Sequence, residues 1–256
     1  MNLELKAKVA IVGGGSDGIG YGIAAALARE GAQVAIFARR EAGVSRAVET
    51  LRQETGAEVL GLQGDGRIAE DCSRVIQTVV ERLGGVDILV NNDGAPPLGN
   101  ITEFDDAAWG KAVEQNLMYA IRMARGVVPH MARRGGGSIL NIAAISAIQP
   151  IAGFGLSVAT WSGVIGFAKT LSIEVASRNI SVNTICPGYI ETKRLEKVFS
   201  GDPEGMRAKL TAEIPMGRIG TVADVANLVA FLVSPLGRYV TGTAIQVDGG
   251  LLRGVR

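Results

Sequence analysis

Val9-Ala10-Ile11-Val12-Gly13-Gly14-Gly15-Ser16-Asp17-Gly18-Ile19-Gly20 joins a short apolar run to a glycine-rich turn. An apolar run of this length, ended by glycines, reads as a buried strand over residues 8–12. The alanine-rich stretch 19–30 sets Ile23 and Leu27 on one face and stops before Gly31, so it reads as a helix with a left-handed cap. Strand, glycine turn and helix in that order gather free backbone N–H groups at the positive end of a helix dipole. The glycines let a pyrophosphate approach the main chain there. A dinucleotide is the ligand this arrangement suits.

The pattern continues outward from that unit. Residues 33–37 read as a strand, and 42–55 as a helix with Val44, Val48 and Leu51 at helical spacing before Gly56. Strand 58–63, helix 69–83, strand 86–90, a long helix 106–131, strand 138–142, helix 157–176 and strand 180–185 follow. Helix 222–233 and strand 243–247 end the series. Apolar strands alternating with helices imply right-handed crossovers and a parallel sheet covered on both faces. The expected fold is α/β: a single Rossmann-type, doubly wound sheet of about seven strands. We expect one dinucleotide-binding domain over residues 1–256. Within it, the excursion 189–220 mixes charge, Gly and Pro and reads either as a lid or as two extra surface helices.

Composition bounds the rest. A chain of 256 residues that is 47% hydrophobic can bury a large core. Twenty-six basic residues against 25 acidic ones leave no footprint for nucleic acid or a membrane surface, so a small-molecule substrate is the expected partner. Cys72 and Cys186 fit neither a disulfide framework nor a metal site, and His130 is the only histidine. His130 follows Pro129 near a helix end and reads as structural. The N-terminal stretch has no secretory pattern, and no run of about 18 uninterrupted apolar residues occurs. We therefore expect a cytoplasmic protein.

Two glycine spacings overlap in the turn. Gly13, Gly15 and Gly18 satisfy G-x-G-x-x-G, whereas Gly14, Gly18 and Gly20 satisfy G-x-x-x-G-x-G. The second resembles the fingerprint of the short-chain dehydrogenase/reductase family, which usually carries Thr where this chain has Gly13. The resemblance runs along the whole chain. Asp65 resembles the family's adenine-contacting aspartate, and Asn91-Asn92-Asp93-Gly94 its Asn-Asn-Ala-Gly segment, with Asp93 replacing alanine. Asn116 matches the catalytic asparagine. Pro187-Gly188-Tyr189-Ile190-Glu191-Thr192 is similar to the segment that packs on nicotinamide, and Gly242 with Val247-Asp248-Gly249-Gly250 to the last strand. The resemblance implies a cofactor site built from Gly14, Ser16, Asp17, Gly18, Ile19, Gly20, Asp65, Asn92, Gly94, Pro187, Gly188, Ile190 and Thr192.

Cofactor choice rests on the end of the second strand. NAD sites place a carboxylate there for the ribose hydroxyls. This chain has Ala38, then Arg39 and Arg40, whose guanidinium groups suit a 2′-phosphate. Asp17 opposes that reading, because a carboxylate in the glycine turn repels a phosphate. On balance NADP(H) is favoured over NAD(H).

The catalytic pattern breaks. The family carries a serine three residues past an asparagine, then Tyr-x-x-x-Lys on the next helix. Asn141 fixes the first position at Ala144, and the trailing Gly166-Phe167-Ala168-Lys169 fixes the tyrosine and lysine positions at Ser157 and Trp161. Of the four family residues only Asn116 remains. A serine hydroxyl is a far weaker acid than a phenol, and tryptophan brings no charge to assist it. Loss of a general acid typically removes about 10²–10⁴-fold in rate.

Ser146, two residues beyond Ala144, points to the same side if the chain stays extended, so the candidate catalytic set is Asn116, Ser157 and Ser146. Tyr189 is either the nearest phenol to the cleft or a packing residue, Glu191 and Lys193 are further candidates to face the cleft, and Trp161 either fills the space of the lysine or stacks on a flat ligand. Three functional readings compete. The first is an oxidoreductase with a rearranged catalytic set, acting on a small carbonyl, alcohol or activated double bond. The others are a catalytically silent dinucleotide binder and a non-redox lyase or isomerase. The resemblance also implies a homo-oligomer, a tetramer or dimer.

Overall fold

The computed structural model describes residues 2–198 and 203–254. Among these, seven strands form one parallel sheet in the order β3-β2-β1-β4-β5-β6-β7. They are β1 Val9–Gly13, β2 Gln33–Ala38, β3 Val59–Gln63, β4 Ile88–Asn91, β5 Gly137–Ile142, β6 Ile180–Pro187 and β7 Ala244–Val247. The doubly wound sheet read from the alternating pattern is present. The central strands β1, β4 and β6 are buried end to end, as strands of a sheet covered on both faces should be.

Helices cover both faces. On one side α1 Gly18–Arg29, α2 Glu41–Thr55 and α9 Val222–Val233 enclose a core with Ile23, Leu27, Leu51 and Val229. On the other, α3 Ala69–Leu83, α5 Tyr119–Arg133 and α6 Gly155–Val175 enclose Val75, Met123, Val127 and Ala168. At the edge where β1 and β4 begin, buried Asp87 accepts the Val9 amide at 2.8 Å and two Arg134 bonds at 3.0 and 2.9 Å. Those bonds satisfy a charge that burial alone would penalise.

β1 pairs with β2 on one side and β4 on the other, Val12 lying opposite both Ile36 and Val90. Crossovers leave this strand in opposite directions, so a crevice opens at the carboxyl ends of β1 and β4. That topology brings the glycine turn after β1 against Asn92.

One expectation is corrected here, and one of two alternatives is seen. The single helix expected over 106–131 is three segments: α4 Asp106–Ala112, a π-helical turn Val113–Met118, and α5. Its apolar periodicity is nearly continuous, so the sequence does not show the extra residue. The excursion 189–220 contains two helices, α7 Lys193–Val198 and α8 Pro203–Glu213, and is closed by a bridge between Ile190 and Gly220. Leu195, Leu210, Ile214 and Ile219 give it a small core of its own.

Candidate active site

The turn from β1 into α1 uses backbone conformations that glycine adopts without penalty: Gly14 and Gly18 both have φ of 56°. A side chain on Gly14 would meet the Asn92 amide nitrogen at 2.6 Å and its carbonyl at 2.7 Å. One on Gly20 would run into the Gly14 carbonyl. Asn92 Nδ2 donates to the Gly13 carbonyl at 3.2 Å, which ties the end of β4 to the turn. Asp17 caps α1, accepting the Gly18 amide at 2.9 Å, and pairs with Lys193 Nζ at 3.2 Å. The carboxylate expected to repel a phosphate is therefore already matched by a cation.

Beside this turn lies a cleft of about 670 Å³, lined by Gly14, Ser16, Asp17, Tyr21, Arg39, Arg40, Arg46, Asn92 and Asp93. Arg39, Arg40 and Arg46 form no ion pair among the described residues. A crowded glycine turn at a helix N-terminus, with unpaired guanidinium groups beyond it, fits a phosphorylated dinucleotide.

A second, apolar cavity of about 200 Å³ shares Asn92 and Asp93 with the cleft. Ile19, Pro187, Gly188, Ile190 and Thr192 meet on its wall with Ala144, Ser146, Phe154 and Trp161. Gly18 and Thr192 nearly touch, a Cβ at Gly18 falling 3.5 Å from the Thr192 methyl.

Not every expected cofactor residue faces a cavity. The Asp65 carboxylate is taken by Arg67, with bonds at 2.9 and 3.1 Å from Nε alone, while its neighbours Gly64 and Gly66 face the cleft instead. Arg67 holds that carboxyl below the ordinary range. Gly20 packs behind the turn. Gly94 donates its amide to Asp93 at 2.7 Å and accepts from Gln115.

The catalytic candidates separate. Ala144 and Ser146 both line the apolar cavity, although the chain between them is not extended: Ile145–Ala147 is one turn of 3-10 helix. Ser146 is 2% exposed, and its hydroxyl has no partner among the described residues. Ser157 corrects the sequence reading. It is fully enclosed in the first turn of α6, its Oγ has no partner among the described residues, and it lies on neither cavity wall, because so short a side chain stays among its helix neighbours.

Asn116 sits on the π turn and donates to Thr160 Oγ1 at 2.8 Å. With Asn91, Asp93, Asn141 and Trp161 it borders a hollow of about 10 Å³, and the Oδ1 atoms of Asn91 and Asn116 have no partner among the described residues. Half-buried Trp161 separates this hollow from the apolar cavity.

Of the remaining candidates, Tyr189 lines the apolar cavity, and burial with nearby Glu213 raises its pKa. Glu191 is bound by Arg207 and Lys193 by Asp17. His130 contacts Arg133 at 2.8 Å, away from both cavities. Among the described residues no group of acidic, Cys and His side chains could hold a metal.

Residues 14–252 match the family described as "Enoyl-(Acyl carrier protein) reductase". Human "Dehydrogenase/reductase SDR family member 4" is 38% identical over 95% of this chain and 87% of its own length. The chain belongs to the short-chain dehydrogenase/reductase family. It is an NAD(P)-dependent oxidoreductase of that type. A 3-oxoacyl-[acyl-carrier-protein] reductase of Vibrio cholerae is 36% identical over 98% of this chain and 99% of its own. L-Sorbose reductase from Gluconobacter frateurii, solved with NADPH and L-sorbose, superposes with a TM-score of 0.94 at 37% identity over 100% of both chains.

Several lining residues escaped the sequence reading. Asp93 was visible only as a departure from the family segment, yet it is the one carboxyl shared by the cleft, the apolar cavity and the hollow. Burial raises its pKa against the lowering influence of the Gly94 amide and Arg39. Tyr119 is enclosed between Gly13 and Gly66, and its ring meets Phe37 edge-on at 6.1 Å. Arg194 lies in the charged excursion, where no periodicity distinguishes an inward residue from an outward one.

Proposed function

We propose that this oxidoreductase prefers NADP(H) and reduces a small carbonyl compound or an activated double bond with a non-standard catalytic set. The observation that carries this is the junction at Asn92 and Asp93, where an arginine-rich cleft runs into an apolar cavity. A cleft with unpaired Arg39, Arg40 and Arg46, and with Asp17 neutralised by Lys193, favours the extra phosphate.

When bound, the dihydronicotinamide supplies a hydride. The chain's own residues then position the acceptor. Pro187, Gly188, Ile190 and Thr192 form the wall against which the ring would rest, and Ser146 offers an unpartnered hydroxyl to the substrate oxygen. Ala144 and Trp161 stand where the family carries its serine and lysine, and Ser157 is withdrawn from the cavity, so help at oxygen is weak. Conjugate reduction needs less of that help than ketone reduction, which favours an enone or enoyl substrate.

The test is NADPH oxidation by the full chain across paired enones and saturated ketones, with nucleotide binding followed on the same samples. Turnover of enones ahead of ketones supports the reading. Tight NADPH binding with no turnover on either would favour the silent binder, and product formed without nucleotide oxidation would favour a lyase or isomerase. Assembly as a tetramer or dimer is part of the same proposal. It draws on the half-buried β7 at the sheet edge and on Ile173, 71% exposed on otherwise apolar α6.

A further inference from the structure

Arg194 is out of place in its surroundings. It lies on α7 and lines the apolar cavity with Ile145, Ile151, Phe154 and Leu195. Its one described contact is a donation from Nη1 to the Ala95 carbonyl at 3.4 Å. A guanidinium has five N–H donors, so most of the fork is unused. Its neighbours on the same segment are matched: Glu191 by Arg207 and Lys193 by Asp17. Asp93 lines the same cavity but forms no ion pair with Arg194 within the described residues, and the charges that act on Asp93 are Arg39, Asp65 and Arg67. Arg194 stays exposed to solvent at the cavity mouth, where partial loss of hydration against the wall lowers its pKa and no carboxylate among the described residues pairs with it.

A guanidinium at the mouth of an apolar cavity, with most of its donors free of protein partners among the described residues, offers an anion entering that cavity a charge-assisted contact. The two oxygens of a carboxylate match the guanidinium fork in spacing and charge.

We propose that Arg194 is a specificity-determining residue that binds a carboxylate on the substrate, so that this cavity takes a small apolar acid bearing the reducible group in place of a neutral ketone or enal. The proposal rests on the apolar cavity being the substrate site, and its test needs no turnover.

The full-length protein is titrated by calorimetry with 3-phenylpropanoate and with 3-phenylpropanamide, which share shape and differ in charge. The expected result is about tenfold tighter binding of the acid, equivalent to about 1.4 kcal/mol. Arg194→Gln abolishes that preference and leaves the amide affinity unchanged, whereas Arg194→Lys keeps part of it because a point charge replaces the fork. NADPH binding of each variant reports that the fold is intact. Equal affinity for acid and amide in the parent chain overturns the proposal, as does a preference that survives in Arg194→Gln. If NADPH oxidation fails across all carbonyl substrates while the acid preference holds, the reductase reading fails and the anion site stands.

Discussion

The Tyr119 hydroxyl fills the space that a side chain on Gly13 would need. A Cβ built on Gly13 collides with that oxygen, and one on Gly66 strikes the ring from the other side. The hydroxyl is fully buried with no partner of hydrogen-bond geometry among the described residues, the Asn92 amide being the polar group that bears on it, and burial pushes its pKa well above the ordinary tyrosine value. The glycine at position 13, where the family usually has threonine, is thus coupled to an aromatic residue 106 positions later in the chain.

Gly13→Ala should destabilise the protein by about 1–3 kcal/mol through overpacking. Tyr119→Phe should be neutral or slightly stabilising, because it removes a buried hydroxyl that has no partner of hydrogen-bond geometry among the described residues. Combined, the loss should shrink, since the phenyl ring no longer carries the colliding atom. Thermal denaturation of the four proteins reads the coupling directly; strict additivity would show that the two sites do not share this space.

The proposed non-standard catalytic set predicts that placing the family's groups at these positions raises its chemistry. The triple variant Ala144→Ser, Ser157→Tyr, Trp161→Lys is expected to raise ketone reduction at least about 100-fold over the parent chain. Steady-state NADPH oxidation measures it. Tyrosine at 157 is long enough to reach the cavity that serine does not, so the single Ala144→Ser change should do far less.

Arg39→Ala and Arg40→Ala should each weaken NADPH binding about tenfold, about 1.4 kcal/mol, and leave NADH within twofold. Lys193→Ala should weaken NADPH only slightly, because exposed pairs such as Asp17–Lys193 are worth about 0.2–1 kcal/mol. Fluorescence titrations at two salt concentrations separate these effects, the contrast fading as salt rises.

The pH response of stability should carry an Asp93 signature. Its folded pKa is raised by burial, so the folded state favours the protonated acid. Stability linked to that proton is present below the unfolded value of about 3.9 and lost as pH rises through the higher folded value. Asp93→Asn should therefore melt at a higher temperature than the parent at pH 7, with the advantage shrinking toward pH 4. A gain that stays constant with pH would contradict this.

The fold was legible because its strands are buried on both faces and the helices between them carry clear apolar stripes, as at Val44, Val48 and Leu51. The glycine turn was legible for a similar reason: left-handed turns and close contacts admit few residues. Side-chain placement was less so. The reading of Ser146 assumed an extended chain and reached the cavity wall through a 3-10 turn instead. Ser157 was placed correctly along the helix, but its depth depended on side-chain length and packing that no local pattern records. Asp65 was expected against adenine, and two residues later the chain supplies Arg67, which occupies it. Arg194 had no periodic signal at all, since it stays exposed and only the folding of the excursion sets it at the cavity mouth.

The π turn at Val113–Met118 makes chain length itself a component of this site. A π turn holds one more residue than the α-helix around it can accommodate. Deleting a single residue there would let the hydrogen bonds return to ordinary α spacing, so α4 and α5 would fuse into one continuous helix with their apolar faces still in phase. Only the residues of the turn itself would be drawn back onto the regular spiral. Asn116 would leave its bond to Thr160 and the hollow beside Trp161 while helix content stayed nearly constant. A protein of this kind can lose its site by a shortening that leaves its circular dichroism almost unchanged.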